Sequence, residues 1–301
     1  MHAMENLPYR GRFAPSPTGP LHFGSLVAAL GSYLDARAHL GEWLVRIDDL
    51  DLPRVVAGAA DDILRTLEAL GLEWDGEIVY QSRREEHYRA ALAELEHLGA
   101  VYQCACTRKE IADSAVGPDG AAIYPGTCRA GLAPGRTPRA LRLRVEYAPL
   151  EFADVVQGRV VQHLGREVGD FVVRRADGLF AYQLATVVDD AAQGITHVVR
   201  GSDLLDSTPR QIYLQRLLGL PAPRYAHLPV AVNERGEKLS KQTLAPAVSA
   251  TRPVLVLHQA LRFLGQEIPE ELRQAEPAEF LRCAAANWRR GAIPPAKTIP
   301  I

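Results

Sequence analysis

The sequence has no surplus of charge of either sign: 34 Lys and Arg stand against 36 Asp and Glu, leaving a formal charge of -2 over 301 residues. That disfavours a protein that coats nucleic acid with its whole surface, and any such partner would have to be met by local patches. No apolar run reaches the roughly 20 residues of a membrane-spanning helix, and the first thirty residues lack the apolar stretch of a secretory signal. The chain is therefore expected in the cytoplasm, with no membrane partner. Cysteine is scarce, with four in the chain. Cys104, Cys106 and Cys128 lie close together and Cys283 far away, and in a reducing compartment that clustering favours a metal over a disulfide. Internal repeats, heptad arrays and low-complexity tracts are missing as well. What remains is 47% hydrophobic and 23% charged, a globular composition long enough for about two domains.

The order of elements argues for a parallel α/β sheet. Residues 9–13 read as a short strand, 14–20 as a loop stiffened by prolines on both sides of Ser16, and 25–40 as a helix with Leu26, Ala29, Leu30, Tyr33 and Leu34 at helical spacing. A second strand over 42–47 ends in Asp48, Asp49 and Asp51, and helical patterns cover 57–70 and 83–98. Strand, helix, strand, helix at this spacing predicts a doubly wound, Rossmann-like fold whose ligand crevice lies at the carboxyl ends of the strands. From Tyr102 the texture changes to glycine, proline and arginine, as in an inserted module. Further strands are expected at 141–145, 170–173 and 197–200, a helix at 209–218, and a helical C-terminal part at 253–264 and 277–290. The resulting division is 1–101 for the first half of the catalytic domain, 102–165 for an inserted zinc-bearing module, 166–245 for the second half, and 246–301 for a helical segment.

Two segments carry phosphate chemistry. Pro20-Leu-His-Phe-Gly-Ser25 puts His22 and Gly24 at the mouth of a helix that follows a strand, where free N–H groups and the helix dipole favour phosphate. Alone, such a histidine is more often a helix cap or a packed side chain. Glu237-Lys-Leu-Ser-Lys-Gln242 sets Lys238 and Lys241 about Ser240 on a loop that could close over a triphosphate. Alone, two lysines on a loop are solvated surface. Cys104, Cys106 and Cys128 supply three thiolates, and tetrahedral structural zinc needs a fourth ligand. No histidine lies between His97 and His163, which leaves Asp113, Asp119 or a water on residue chemistry alone. Cys283, beside Leu281, Ala284, Ala285 and Trp288, reads as a core thiol. Arg129, Arg136, Arg139, Arg142 and Arg144, with Arg289 and Arg290, suggest an RNA-facing surface.

Taken together and in order, the two phosphate segments resemble the signature pair of class I aminoacyl-tRNA synthetases. The likeness narrows to the glutamyl-tRNA synthetase catalytic domain through Arg12-Phe-Ala-Pro-Ser-Pro-Thr-Gly19, Arg46-Ile-Asp-Asp-Leu-Asp51, Leu179-Phe-Ala-Tyr-Gln-Leu-Ala185, Val187-Val-Asp-Asp190 and Val199-Arg-Gly-Ser-Asp203. The Cys-x-Cys module, the Lys-Leu-Ser-Lys-Gln loop and an end at residue 301, where an anticodon-binding domain would otherwise follow, look like the stand-alone glutamyl-queuosine branch of that family. The resemblance implies a ligase that activates L-glutamate with ATP, with magnesium on the phosphates. It passes the glutamyl group to the queuosine base at the wobble position of tRNA(Asp), acting as a monomer. It assigns His22, Gly24, Ser25, Lys238, Ser240 and Lys241 to ATP, with His22 and the two lysines catalytic, and Arg12, Ala14, Ser16, Asp48, Tyr182 and Arg200 to glutamate. Asp48 departs from the glutamate usual at its position, so its shorter carboxylate would need a shifted backbone or a water to reach the ammonium. Tyr124 is implied as the fourth zinc ligand. The rival readings are ordinary charging by a truncated glutamyl-tRNA synthetase, a nucleotidyltransferase on the same fold, and a non-catalytic binding paralogue.

Overall fold

The computed structural model describes residues 8–112, 114–117, 120–238 and 247–301. Strand β1 (Arg10–Phe13) leads through the proline loop into α1 (Phe23–Ala38), followed by β2 (Glu42–Ile47), α2 (Ala59–Ala69), β3 (Val79–Tyr80) and α3 (Glu85–His97). Then come β4 (Val101–Cys104), α4 (Arg108–Ala112), β5 (Ala140–Leu143), β6 (Leu150–Asp154), β7 (Gly158–Gln162), α5 (Leu164–Glu167) and β8 (Phe171–Arg174). The second half holds α6 (Tyr182–Ala192), β9 (His197–Gly201), α7 (Thr208–Leu217), β10 (Arg224–Leu228) and β11 (Val230–Val232). Helices α8 (Pro253–Phe263) and α9 (Pro277–Ala286) and strand β12 (Thr298–Pro300) follow.

Helix α1 forms where the sequence places it because His22, in extended backbone, caps its start and Leu26, Ala29, Leu30 and Leu34 share one fully buried face. Gly31 sits on that helix because a Cβ there would lie 2.5 Å from Leu228 Cδ1, so the missing side chain lets α1 press onto β10. Helix α6 has no counterpart in the pattern read from the sequence. Its residues from Leu184 to Asp190 are all buried, so no polar face marks a period.

Parallel pairing joins β1 to β2 and β2 to β3, and separately β9 to β10 and β10 to β6. The two sheets adjoin at β1, where the Thr196 N–H ahead of β9 donates to the Arg10 carbonyl at 3.0 Å. The expected α/β architecture is therefore present, with the strand order reversing beside β1. The pairing crosses the division at 165. Strand β8 belongs to an antiparallel sheet with β4 and β5, whereas β6 and β7 of the 102–165 stretch form a hairpin on the parallel sheet. No helix among the described residues is long and apolar enough to cross a membrane.

The C-terminal helices pack on α1, and one buried carboxylate ties them down. Asp35 accepts from the Tyr9 hydroxyl, from Trp288 Nε1 at 2.9 Å, and from Arg290 Nε and Nη2 at 2.6 and 2.9 Å. Cys283 differs from expectation. Phe280, Leu281 and Ala284 form the buried face of α9 and leave Cys283 half-buried at its edge. Tyr9 also stacks on His197, with ring centroids 3.9 Å apart. Burial, helped by the Arg290 charge, lowers His197 from 6.5 to about 4. The unfolded chain takes up that proton below pH 6.5 and the native one only near 4, so this contribution to stability is complete above pH 6.5 and lost as pH falls through that window. His197→Gln should flatten the fall in urea midpoint between pH 6.5 and 4, and an unchanged slope would show that His197 does not control it.

Candidate active site

The proline loop is fixed by its carbonyls, since proline offers no N–H. Pro15 O accepts from the Asp48 N–H and Pro17 O from the Val56 N–H, each at 2.9 Å, which stitches the loop to the chain leaving β2. Between this loop and the carboxyl ends of β1, β9 and β10 lies a cavity of about 630 Å³. Arg12, Ala14, Ser16, His22, Gly24, Ser25, Tyr182, Arg200 and Lys238 of the expected set all line it. Ser240 and Lys241 lie outside the described residues. Thr18, Arg54 and Asp203 line it too. Asp203 closes the Val199–Asp203 block, and its pairing with Lys238 is the signal that marks it.

His22 satisfies both of its readings. Its Nδ1 accepts the Ser25 N–H at 3.3 Å, the cap, so the neutral ring carries its proton on Nε2, 3.0 Å from Ser25 Oγ. Lys238, in a bridge with Val232, forms an ion pair of 2.5 Å with Asp203. The cavity therefore brings the His22 imidazole and the Lys238 cation together near the mouth of α1.

Behind Arg12 runs a buried ionic network. Asp190 accepts from Arg12 Nε and Nη2 at 3.2 and 3.3 Å and from Arg46 Nη1 at 2.6 Å, while Arg46 Nε donates to Asp48 at 2.7 Å. Asp189 takes Arg84 Nε at 2.5 Å, Gln81 Nε2 at 2.8 Å and the Tyr88 hydroxyl at 2.8 Å. Burial would raise Asp190, but the Arg12 and Arg46 charges outweigh it and hold its carboxyl below the usual range. At Asp48 burial wins over Arg46 and pushes the carboxyl up to about 6. Asp48, expected at the glutamate ammonium, does not line this cavity and is held by Arg46. Residues 46 and 48 share one face of the strand, and the short carboxylate turns back onto Arg46.

Arg200 is held on three edges. Its Nε donates to His227 Nε2 at 3.0 Å, and its Nη2 to Thr208 Oγ1 and Gln211 Oε1, both at 2.8 Å. Nη1 lies 3.5 Å from the Tyr182 hydroxyl.

In the antiparallel sheet region, the sulfurs of Cys104, Cys106 and Cys128 all lie within 4.8 Å of one another. The Tyr124 oxygen accepts the Cys128 N–H at 2.8 Å and stands 3.5 Å from Cys104 Sγ and 3.8 Å from Cys106 Sγ. Burial pushes Cys128 up, but the Ala105 N–H and its Tyr124 contact more than offset this and bring it to about 7. Three soft sulfurs and one oxygen around a common centre are a donor set that fits a tetrahedral metal. Asp113 and Asp119, the competing ligands, lie outside the described residues.

The arginine surface is corrected in part. Arg142 is buried, with Nε on Cys104 Sγ at 3.2 Å, Nη1 on the Asp170 carbonyl at 2.7 Å and its guanidinium 3.7 Å from the Tyr124 ring centre. Arg136 pairs with Glu110, Arg129 with Asp170 and Arg290 with Asp35. Arg129 and Arg290 are half-buried in these pairs, whereas Arg136 and Arg139 are exposed.

The family profile described as "tRNA synthetases class I (E and Q), catalytic domain" matches residues 9–261. The chain is similar, at 64% identity over 291 residues, to the glutamyl-Q tRNA(Asp) synthetase of Dechloromonas aromatica, covering 96% of this chain and 97% of that one. It is 59% identical over 287 residues to the protein of the same name from Aromatoleum aromaticum, covering 95% and 91%. Among solved structures it shares its fold with the glutamate-tRNA synthetase of Elizabethkingia anophelis, with a TM-score of 0.79 at 24% identity, covering 96% of this chain and 67% of that one.

Proposed function

The chain belongs to the class I tRNA synthetases of the glutamate and glutamine kind, and on that footing we propose that it activates L-glutamate with ATP and transfers the glutamyl group to the queuosine base of tRNA(Asp). The observation that carries the reading is one cavity in which two arginines, the His22 N–H donor and the Lys238 cation converge at the carboxyl ends of the parallel strands. Glutamate brings two carboxylates and an ammonium, and Arg12 and Arg200 suit the former while the Ser16 and Tyr182 hydroxyls suit the latter.

Activation needs no nucleophilic side chain. A glutamate carboxylate oxygen attacks the α-phosphorus, pyrophosphate leaves, and a hydroxyl of the queuosine base then attacks the mixed anhydride and releases AMP. Positioning and charge stabilisation supply the rate. His22 Nε2–H, Lys238 and Lys241 stabilise charge on the phosphates, Gly24 and Ser25 let the nucleotide approach the mouth of α1, and Ser240 adds a hydroxyl. Magnesium bound with ATP would neutralise the phosphate oxygens. Zinc, held by Cys104, Cys106, Cys128 and Tyr124, would staple the turns between β4 and β5. Residues 1–101 and 166–245 would then serve as the catalytic halves, 102–165 as the zinc-bearing insertion and 246–301 as a helical support, in a monomer of the cytoplasm.

The test is ATP–pyrophosphate exchange with glutamate, using aspartate and glutamine as controls, followed by charging of tRNA with and without queuosine. Exchange with glutamate alone and charging only of the queuosine-bearing tRNA is the expected result. Equal charging of both tRNAs points instead to ordinary glutamylation, and no exchange to a binding paralogue. Metal analysis should find one zinc per chain, and Cys104→Ser should reduce it to near zero with a lower melting temperature. A metal-free preparation of unchanged stability would exclude the zinc staple.

A further inference from the structure

We infer that His227 is a positioning residue for glutamate recognition: Asp154 holds it as the Nδ1–H tautomer, and its bare Nε2 fixes Arg200 with the Nη1 edge toward the cavity. The inference rests on the reading of Arg200 as a glutamate-binding arginine.

The chain of contacts starts in the turn after β6. Asp154 Oδ1 accepts three backbone N–H groups, from Val156 at 3.0 Å, Gln157 at 2.9 Å and His227 at 3.1 Å. The other oxygen, Oδ2, lies 2.6 Å from His227 Nδ1. Hydrogen bonds from donors favour the carboxylate form, and the Asp154 carboxyl lies below its usual range although burial opposes this. A carboxylate can only accept, so the proton between the two residues sits on Nδ1. Neutral imidazole then offers a lone pair at Nε2, and this is the atom that meets the Arg200 Nε–H at 3.0 Å. His227 is fully buried, and burial lowers it to about 4, so the ring is neutral near pH 7 and does not set a second cation against Arg200.

Arg200 has five N–H bonds in a rigid plane. His227 takes the Nε–H, and Thr208 and Gln211 take the two on Nη2. That leaves the Nη1 pair, whose protein neighbour is the Tyr182 hydroxyl at 3.5 Å, to meet a carboxylate. A planar fork gripped on two of its three nitrogens cannot rotate, so the direction of Nη1 is set by His227 and α7 together.

Asp154→Asn tests the tautomer with little change of shape. The three backbone N–H donors demand an oxygen, so the new amide must keep its carbonyl there and turn its NH2 to His227 Nδ1. The ring must then carry its proton on Nε2, donor against donor with Arg200. In pyrophosphate exchange the glutamate KM should rise about 10- to 100-fold while the ATP KM and the kcat at saturating glutamate stay within about twofold. The 15N spectrum of His227 should show the bare nitrogen move from Nε2 to Nδ1. Where Asp154→Asn does not fold, His227→Gln, which keeps an acceptor oxygen, should have a glutamate KM at least about tenfold below that of His227→Leu. An unchanged glutamate KM in Asp154→Asn, a bare Nε2 in its spectrum, or equal losses in the two His227 variants overturns the assignment. Absence of glutamate-dependent exchange in the unmodified protein overturns instead the functional reading on which it rests.

Discussion

Asp190→Ala should lower the free energy of unfolding by about 3–5 kcal/mol, because it strips one anion from a buried set that is otherwise balanced. Asp48, Asp189 and Asp190 face Arg12, Arg46 and Arg84. Without Asp190, Arg12 loses its carboxylate partner and Arg46 keeps Asp48 and the more distant Asp189, at 2.7 and 3.8 Å. A buried charge left without its partner is costly, and Arg12 keeps only its narrow edge on the cavity to offset the loss. Domains of this kind have about 5–15 kcal/mol in all, so the variant should sit near the edge of folding. Urea titration at a constant m-value reads the loss. A change below about 1 kcal/mol would mean that the network exchanges partners freely and that Arg12 is not held by Asp190. The same variant should weaken glutamate binding, because Arg12 lines the cavity on one side and leans on Asp190 on the other.

His22→Ser should reduce the kcat of pyrophosphate exchange about 10²- to 10³-fold while leaving the melting temperature in place. The substitution separates two functions of one imidazole. Nδ1 caps α1 through the Ser25 N–H, and serine is as good a cap as any residue. His22 lines the cavity, and a serine hydroxyl is too short to replace the imidazole Nε2 at a phosphate oxygen. His22→Ala should lose the same rate and, in addition, about 1 kcal/mol of stability through the cap. If His22→Ser retained exchange within about tenfold of the unmodified protein, the ring would be a cap and no more, and charge on the departing pyrophosphate would have to be met by the lysines.

Local features were legible in the sequence, and features made by distant residues were not. Strand β2 and helices α1, α3 and α8 were found nearly to the residue, since each has its own period and its own stop. His22 and Gly24 were found because a strand, a stiff loop and a helix mouth follow one another without a break. Three cysteines could be grouped by spacing alone, yet the sulfur–oxygen cluster with Tyr124 exists only because the turn after β4 folds over 120–128. Arg142 read as a surface charge in a basic stretch. It is buried because β5 runs between β4 and β8 and turns that side chain onto Cys104. The pairing of Asp48 with Arg46, two residues away, was equally hidden, because the motif that holds both residues does not show that one binds the other. Asp189, Asp190 and His227 act through residues more than twenty positions distant, and no local pattern marks such a pairing.

The ladder beneath Lys238 ties it to a strand far along the chain. Strand β12 pairs in parallel with β11, the Lys297 carbonyl takes the Val230 N–H and the Ser202 hydroxyl, and Val232 at the end of β11 bridges to Lys238. Residues 298–300 lie some sixty positions beyond that lysine. Changes in β12 would therefore be felt at Lys238 through β11, although β12 itself does not line the cavity.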